Sequence, residues 1–475
     1  MQLSDFLDHP RLKAVENRLD SRFTKEQPLI ISDVIDEQGN QYAHLVQKGG
    51  GVLGVALVGY TFILERMGIR FIRQAGTSAG AINTALMTVT GTKQEAKSVR
   101  VLDAVCKLDF FSLVDGHPFA RRLIRSFITD TSFVQRSKKW LIGLVTGIMF
   151  LILADFILLA NRHKSDMLMV WAWVAIGLTI FTAIVIFLSV RFASRLLKKL
   201  KNAGYGINKG DRFYEWIKER FGENGVKTVR DLNEKATAKV PGMKMRYEHP
   251  SGLTGLEGSV TFITSELSSR NKVELPEMCD LFRRPGDDLT LDPAGFVRAS
   301  MAIPLFFESY LIKDIPCTTP EIKNAWKKRF NEDDPPSIAR FVDGGMLSNF
   351  PMDIFYNPSV EVPRLPVLGI DLDGSSPGDK GKKAESWSLG GYCNRMLLTL
   401  QNHSDKQFLQ KNKVYATGVG CIDVRGFNSL NFFLTDDKKM ELFLRGAEAA
   451  CEFLLRFNWN DYKRERAIMQ QTLNR

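Results

Sequence analysis

A serine framed by glycines, Gly76-Thr77-Ser78-Ala79-Gly80, follows a short apolar run, Ile69 to Gln74, and precedes a helical pattern, Ala81 to Thr90. Between strand and helix this spacing is a nucleophile elbow, a turn sharp enough to hold the hydroxyl clear of the backbone. Side chains at Gly76 and Gly80 would clash in so tight a turn. The helix behind the serine offers free N–H groups to developing negative charge. Upstream, Gln47-Lys48-Gly49-Gly50-Gly51-Val52-Leu53-Gly54 puts consecutive glycines at a second strand-to-helix corner. Unpaired amides at such a corner suit an oxyanion hole or a phosphate cradle. A dinucleotide-binding loop fits less well, because the next strand, Phe71-Ile72-Arg73-Gln74, ends in no acid. Downstream, Phe341-Val342-Asp343-Gly344-Gly345 places an aspartate at a strand end before a turn. Each stretch alone is also an ordinary glycine-rich turn. Together they supply a nucleophile, a cradle of amides and a base.

In this order the three stretches resemble the patatin-like phospholipases, whose pattern is a glycine-rich oxyanion loop, a helix, Gly-x-Ser-x-Gly and a distant Asp-Gly-Gly or Asp-Gly-Ala. Arg298-Ala299-Ser300-Met301-Ala302-Ile303-Pro304, followed by Phe306-Phe307, is similar to the stretch preceding the family's aspartate. The likeness spans roughly residues 42–110 and 210–455. It implies a three-layer α/β/α sandwich with a mostly parallel central sheet, and a carboxylic ester hydrolase that needs neither metal nor cofactor. Ser78 would be the nucleophile and Asp343 the base of a catalytic dyad. The amides of Gly49, Gly50, Gly51 and Ala79 would form the oxyanion hole. One position departs from the pattern: Leu53 stands where the family usually has Arg or Lys, which leaves the glycines intact and removes a charge.

The elements around these residues alternate. A strand from Tyr42 to Val46, a helix from Val52 to Met67, the strand at Ile69 and the helix after the elbow make a β-loop-α-β-elbow-α unit. Alternation of this kind implies a parallel sheet, with both glycine motifs at the carboxyl ends of strands, where open α/β sheets bind ligands. Before it, residues 1–41 read as a cap or arm with a helix near Pro10 to Phe23 and a strand near Leu29 to Val34. After residue 210, a helix capped by Asp211, a strand at Gly258 to Thr264, a surface excursion over 313–340, a strand at Pro366 to Asp371, a linker over 374–388 and an amphipathic helix from Asp436 to Phe457 follow in turn. The expected division is 1–41, 42–135, 136–200 and 201–475.

Residues 136–200 differ in kind. Trp140 to Ala160 carries a single charge, Asp155, and Met167 to Val190 carries none. A bilayer core takes about 20 apolar residues as helix. Each run reaches that length, so the pair reads as a transmembrane hairpin. The chain's net charge is +11; residues 121–139 and 191–210 hold twelve basic residues and one acid, Asp130, and so carry the whole excess. Basic flanks place both ends on the cytoplasmic side and suit anionic lipid head groups. This expectation makes the protein a two-span membrane protein with its catalytic domain at the cytoplasmic face and membrane phospholipids as partners. Nucleic-acid binding is set aside, because the basic residues bracket a hydrophobic hairpin. Gly143 and Gly147 form a Gly-x-x-x-Gly that fits against Ala172 and Ala175 or, in a homo-oligomer, against a second copy. Asp155 lies six residues before the turn, ~9 Å deep at the helical rise, and reads as snorkelling toward Arg162 and Lys164.

The six cysteines (106, 279, 317, 393, 421 and 451) are scattered and the six histidines lack ligand spacing, which points to neither disulfides nor a metal. His403, downstream of Asp343, leaves open a Ser78–Asp343–His403 triad in the α/β-hydrolase order. The glycine loop stands too close ahead of the serine for that fold, with room for one helix and one strand between Gly51 and Ser78. A membrane scaffold or pore-type effector with a lipid-binding domain is the reading from outside enzymology.

Overall fold

The computed structural model describes residues 1–116, 133–202, 205–357, 362–373, 396, 399 and 403–473. It divides into two compact units, residues 1–115 with 210–475, and residues 116–209. The second unit is wider than the hairpin boundaries expected from hydropathy. The linker expected over 374–388 lies outside the described residues.

The larger unit is built on ten strands: β1 (Val34–Ile35), β2 (Gln41–Gln47), β3 (Ile69–Thr77), β4 (Lys244–Met245), β5 (Ser259–Glu266), β6 (Asn271–Leu275), β7 (Tyr310–Ile312), β8 (Ala339–Asp343), β9 (Val367–Asp373) and β10 (Val419–Asp423). The central order is β10-β9-β2-β3-β5-β8-β7. From β10 to β5 the strands are parallel; β8 pairs antiparallel with β5, β7 antiparallel with β8, and β6 antiparallel with β5. The sheet is therefore mixed, with its parallel half carrying both glycine motifs. β2 and β3 are buried along almost their whole length, as strands covered by helices on both faces must be. Helices Gly54–Arg66 and Asp436–Arg456 cover one face. They cross closely: a methyl group at Gly59 would lie 2.0 Å from the Phe443 carbonyl oxygen, and one at Gly446 1.9 Å from that of Ala56.

The strand β5 explains how Ser78 and Asp343, far apart in sequence, come together. Its first half pairs with β3 up to Thr77 opposite Ile263. Its second half pairs with β8, ending at Asp343 opposite Thr264. β6 pairs with Phe262 to Glu266 and so takes β5's other edge. The carboxyl ends of β3 and β8 thus meet head to head along one edge of β5, and Ser78 and Asp343 emerge side by side.

Several sequence expectations change in detail. Leu29 to Asp33 is not a strand: the Gln41 amide takes the Ile31 N–H at 2.9 Å and donates to the Leu29 carbonyl at 2.7 Å, so a side chain does what a neighbouring strand would. Asp211 is the first residue of its helix, not the cap. Gly210 caps it in a left-handed conformation, and the Asp115 carboxylate accepts the N–H groups of Gly210 and Arg212 at 2.9 and 3.3 Å. The stretch 313–340 contains the helix Pro320–Phe330, anchored by Trp326, which is fully buried and donates its indole N–H to the Leu281 carbonyl at 2.8 Å.

The smaller unit holds helices Phe133–Asn161 and Asp166–Asn202. Within them, Ile142–Asn161 and Asp166–Phe192 are long and apolar enough to cross a membrane, and the most apolar window of each is wholly unburied. Phe150, Phe156, Trp173 and Phe181 all face outward. Asp155 does not turn toward the polar loop. Its carboxylate accepts the Thr179 hydroxyl at 2.6 Å, a bond between the two helices. Gly143 and Gly147 do not receive Ala172 and Ala175, because added methyl groups there would meet nothing within 4 Å.

Candidate active site

Ser78 leaves β3 with φ 52° and ψ −117°, a conformation L-residues hold only when their surroundings impose it. The glycines supply part of that constraint: a methyl group at Gly76 would sit 2.4 Å from the Gly80 carbonyl, and one at Gly80 2.2 Å from the Gln47 carbonyl oxygen. Ser300 supplies more. Its hydroxyl accepts the Ser78 N–H at 3.0 Å and donates to the Ile263 carbonyl at 2.6 Å, tying the elbow to β5. On the other side, Asn83 donates to the Gln47 side chain at 2.6 Å, and Gln47 donates to the Thr84 hydroxyl at 3.0 Å. The helix behind Ser78 is thereby fixed to β2.

Asp343 is 7% exposed and Ser78 3%. Burial pushes the Asp343 carboxyl up to about 6, against side-chain hydrogen bonding from Ser78 and the Gly345 N–H, which favour the ionised form. The Gly345 N–H lies 2.8 Å from Oδ1. Among the described residues no imidazole is hydrogen-bonded to Ser78 or Asp343, and His403 is exposed. Two residues on, Asp405 is buried and accepts the Ser348 hydroxyl at 2.8 Å and the Asn349 and Phe350 N–H groups at 2.8 and 2.7 Å. The Ser348 carbonyl in turn accepts the Thr77 hydroxyl at 3.0 Å. Asp405 therefore fixes the turn after Asp343 against the strand before Ser78.

The glycine loop abuts the elbow, with a methyl group at Gly49 falling 3.1 Å from Ser78 Cβ and one at Gly54 3.1 Å from Ala79 Cβ. Its amides are not equivalent. The Gly49 N–H is donated to the Asn349 carbonyl at 2.9 Å, and that of Val52 to the Ser429 carbonyl at 3.1 Å. Gly49 thus has a structural partner and drops out of the expected oxyanion set. The amides of Gly50, Gly51 and Ala79 have no acceptor among the described residues. Leu53, at the position of the missing family cation, is buried in the core. The nearest upstream cation, Lys48, is paired with Asp371 at 2.6 Å.

From Gly51 and Ala79 an apolar channel runs between the two helices that follow the glycine loop and the elbow, walled by Val55, Val58, Ile82 and Leu86 and continuing past Val101, Val105 and Trp216. Ser300, Asn349 and Asp405 are the residues sequence reasoning did not find. Ser300 lies inside the Arg298–Pro304 stretch, which gave a hint without a role, whereas nothing local marks Asn349 or Asp405.

A head-to-head strand junction delivering a strained serine to a buried aspartate, beside a glycine loop with free amides, is the architecture of a patatin fold. A sequence model of the patatin-like phospholipase family matches residues 45–356, and the chain belongs to that family. Its members hydrolyse lipid esters, which makes this chain an enzyme of that class. The uncharacterized protein YqhO of Bacillus subtilis (strain 168) is 24% identical over 422 residues, covering 88% of this chain and all of YqhO. Among solved structures, VipD from Legionella pneumophila matches with a TM-score of 0.37 and 14% identity, over 94% of this chain and 73% of VipD. A likeness at that level carries no weight here.

Proposed function

We propose that the protein is a membrane-anchored serine hydrolase that cleaves fatty-acyl esters of membrane phospholipids through a Ser78–Asp343 dyad. The Ser78 hydroxyl attacks the ester carbonyl while Asp343 takes its proton. The amides of Gly50, Gly51 and Ala79 receive the oxyanion. Collapse of the intermediate expels the alcohol, which takes the proton back from Asp343 and leaves the acyl chain on Ser78. A water then attacks, again losing its proton to Asp343, and the fatty acid departs with Ser78 restored. The observation that carries this reading is the buried, hydrogen-bonded Ser78–Asp343 pair, next in the chain to Ala79, which lines the apolar channel. The channel's apolar lining matches the chemistry of an acyl chain, and burial tunes the base to a pKa useful near neutrality.

The anchoring reading rests on two apolar helices whose outward surfaces would otherwise meet water. An enzyme held at the bilayer finds its substrate concentrated there, and the basic flanks favour the cytoplasmic, anionic side. A fluorophosphonate ester tests the chemistry. It should label the unmodified protein at Ser78 and leave Ser78→Ala unlabelled. Equal labelling of both would remove Ser78 from the nucleophile's role.

A further inference from the structure

The end of the sheet away from Ser78 holds a second cleft. After a register slip between Ala43 and His44, His44 pairs with Arg73 across β2 and β3. Beside them stand Val367 and Ser259, the first residues of β9 and β5. The cleft there is lined by His44, Arg73, Arg364 and Arg466, with Phe355 and Tyr415 as aromatic walls. No carboxylate lines it among the described residues.

The three guanidinium groups are held by main-chain carbonyls, which fix direction without cancelling charge. Arg73 donates through Nε to Glu257 at 2.8 Å and through Nη2 to Gly255 at 3.1 Å. Arg364 donates through Nη1 to Gly252 and Thr254 at 2.6 and 2.8 Å. Arg466 is 3% exposed, donates to the Asn357 carbonyl and lies over the rings of Tyr356 and Tyr415 at 5.9 and 5.4 Å. None of the three forms an ion pair among the described residues. The Nε–Nη2 edge of Arg364 and Nη1 of Arg73 therefore still have hydrogens to give. His44 Nδ1 is buried without a hydrogen-bond partner. The crowding is felt in the titration of its neighbours: burial, then Arg73, holds Lys93 down to about 8. Burial followed by Arg73 also lowers Arg364, against a weaker opposing pull from Glu257 outside the cleft lining.

Uncompensated, oriented guanidinium groups in a concave, aromatic-walled site are what an oxyanion requires, since the planar fork matches two oxygens of a phosphate at once. We propose that this cleft binds a phosphate-bearing ligand, with the Nε–Nη2 edge of Arg364 and Nη1 of Arg73 on the phosphate oxygens and Arg466 supplying charge from the aromatic side. The site is separate from the hydrolytic one, so binding is read without turnover. The phosphate can come from a soluble metabolite or a lipid head group, and two probes separate these sources.

The experiment is calorimetric titration of the full chain in non-ionic detergent with pyrophosphate, and in parallel with a short-chain diether phosphatidic acid that no esterase can cleave. Saturable binding of at least one probe is expected, weakened by added KCl and at least about tenfold weaker in Arg364→Lys, which keeps the charge and loses the fork. Arg73→Gln should weaken it similarly. Ligand-free melting temperatures matching the unmodified protein show that the variants are folded. Binding of pyrophosphate assigns a soluble ligand; binding of the diether alone assigns a lipid head group. No saturable binding of either probe, or binding unchanged in both folded variants, overturns the proposal.

Discussion

Replacing Asp343 by Asn should make the protein more stable while removing its activity. The carboxyl stands at about 6 instead of its ordinary 3.8 because it is buried, with bonds from Ser78 and Gly345 opposing the rise. A rise of that size costs the ionised native state roughly 3 kcal/mol at neutral pH. An amide carries no charge into the interior: its oxygen can keep the Gly345 N–H and its NH2 can donate to the Ser78 hydroxyl, so most of that cost is recovered. The sign follows from proton uptake. Well below the ordinary value of 3.8 the carboxyl is protonated in folded and unfolded chains alike, and the variant gains nothing. Between the unfolded value and about 6 the native protein binds the extra proton, so its stability falls relative to the variant as pH rises. Above that window the gap is constant. For a chain of 475 residues, whose unfolding entropy is of order 1 kcal/mol/K, ~3 kcal/mol appears as ~3 °C in Tm. Thermal melts of the two proteins from pH 4 to pH 8 measure it. A variant that melts lower at pH 8, or an advantage that does not change with pH, would refute the argument that burial of this carboxylate is unfavourable.

Other outcomes follow from the same geometry. Ser300→Ala leaves the Ser78 N–H and the Ile263 carbonyl without their partner. The variant should lose about 1–3 kcal/mol of stability, with a lower kcat and little change in KM, as steady-state assays would report. Val105→Phe places a ring in the apolar channel and should move preference toward shorter acyl chains, measured as the ratio of kcat/KM for short- and long-chain p-nitrophenyl esters; an unchanged ratio would mean the chain lies elsewhere. The kcat/KM profile should fall to half near pH 6 as Asp343 takes up a proton.

What the sequence made legible was mostly local. Strand, glycine loop, helix, strand, elbow and helix follow one another without interruption from Gln41 to Val89. Each boundary has its own hydropathy or glycine signal, so this whole unit could be read almost to the residue. Asp343 could be found because Asp-Gly-Gly after an apolar run is itself a local pattern. The rest of the site depends on pairings made by the fold. The Gly49 amide is consumed by the carbonyl of Asn349, in a distant part of the chain, which no glycine count can foresee. Ser300 and Asp405 work only because β5 and the turn after Asp343 bring them to Ser78 and Thr77. The helix at Pro320 was hidden by its lysines and acids, although Ile322 and Trp326, four residues apart, bury one face of it. In the apolar hairpin the two helices have the length and apolarity that the sequence led one to expect, but Asp155 found Thr179 on the partner helix instead of the basic turn.

The most direct test of the central claim is fatty-acid release from phospholipid vesicles by the unmodified protein, Ser78→Ala, Asp343→Asn and His403→Ala. A Ser78–Asp343 dyad predicts release that drops by about 10³-fold or more in the first two variants and persists in His403→Ala. Release that survives Ser78→Ala, or that disappears with His403→Ala in a folded protein, would contradict it.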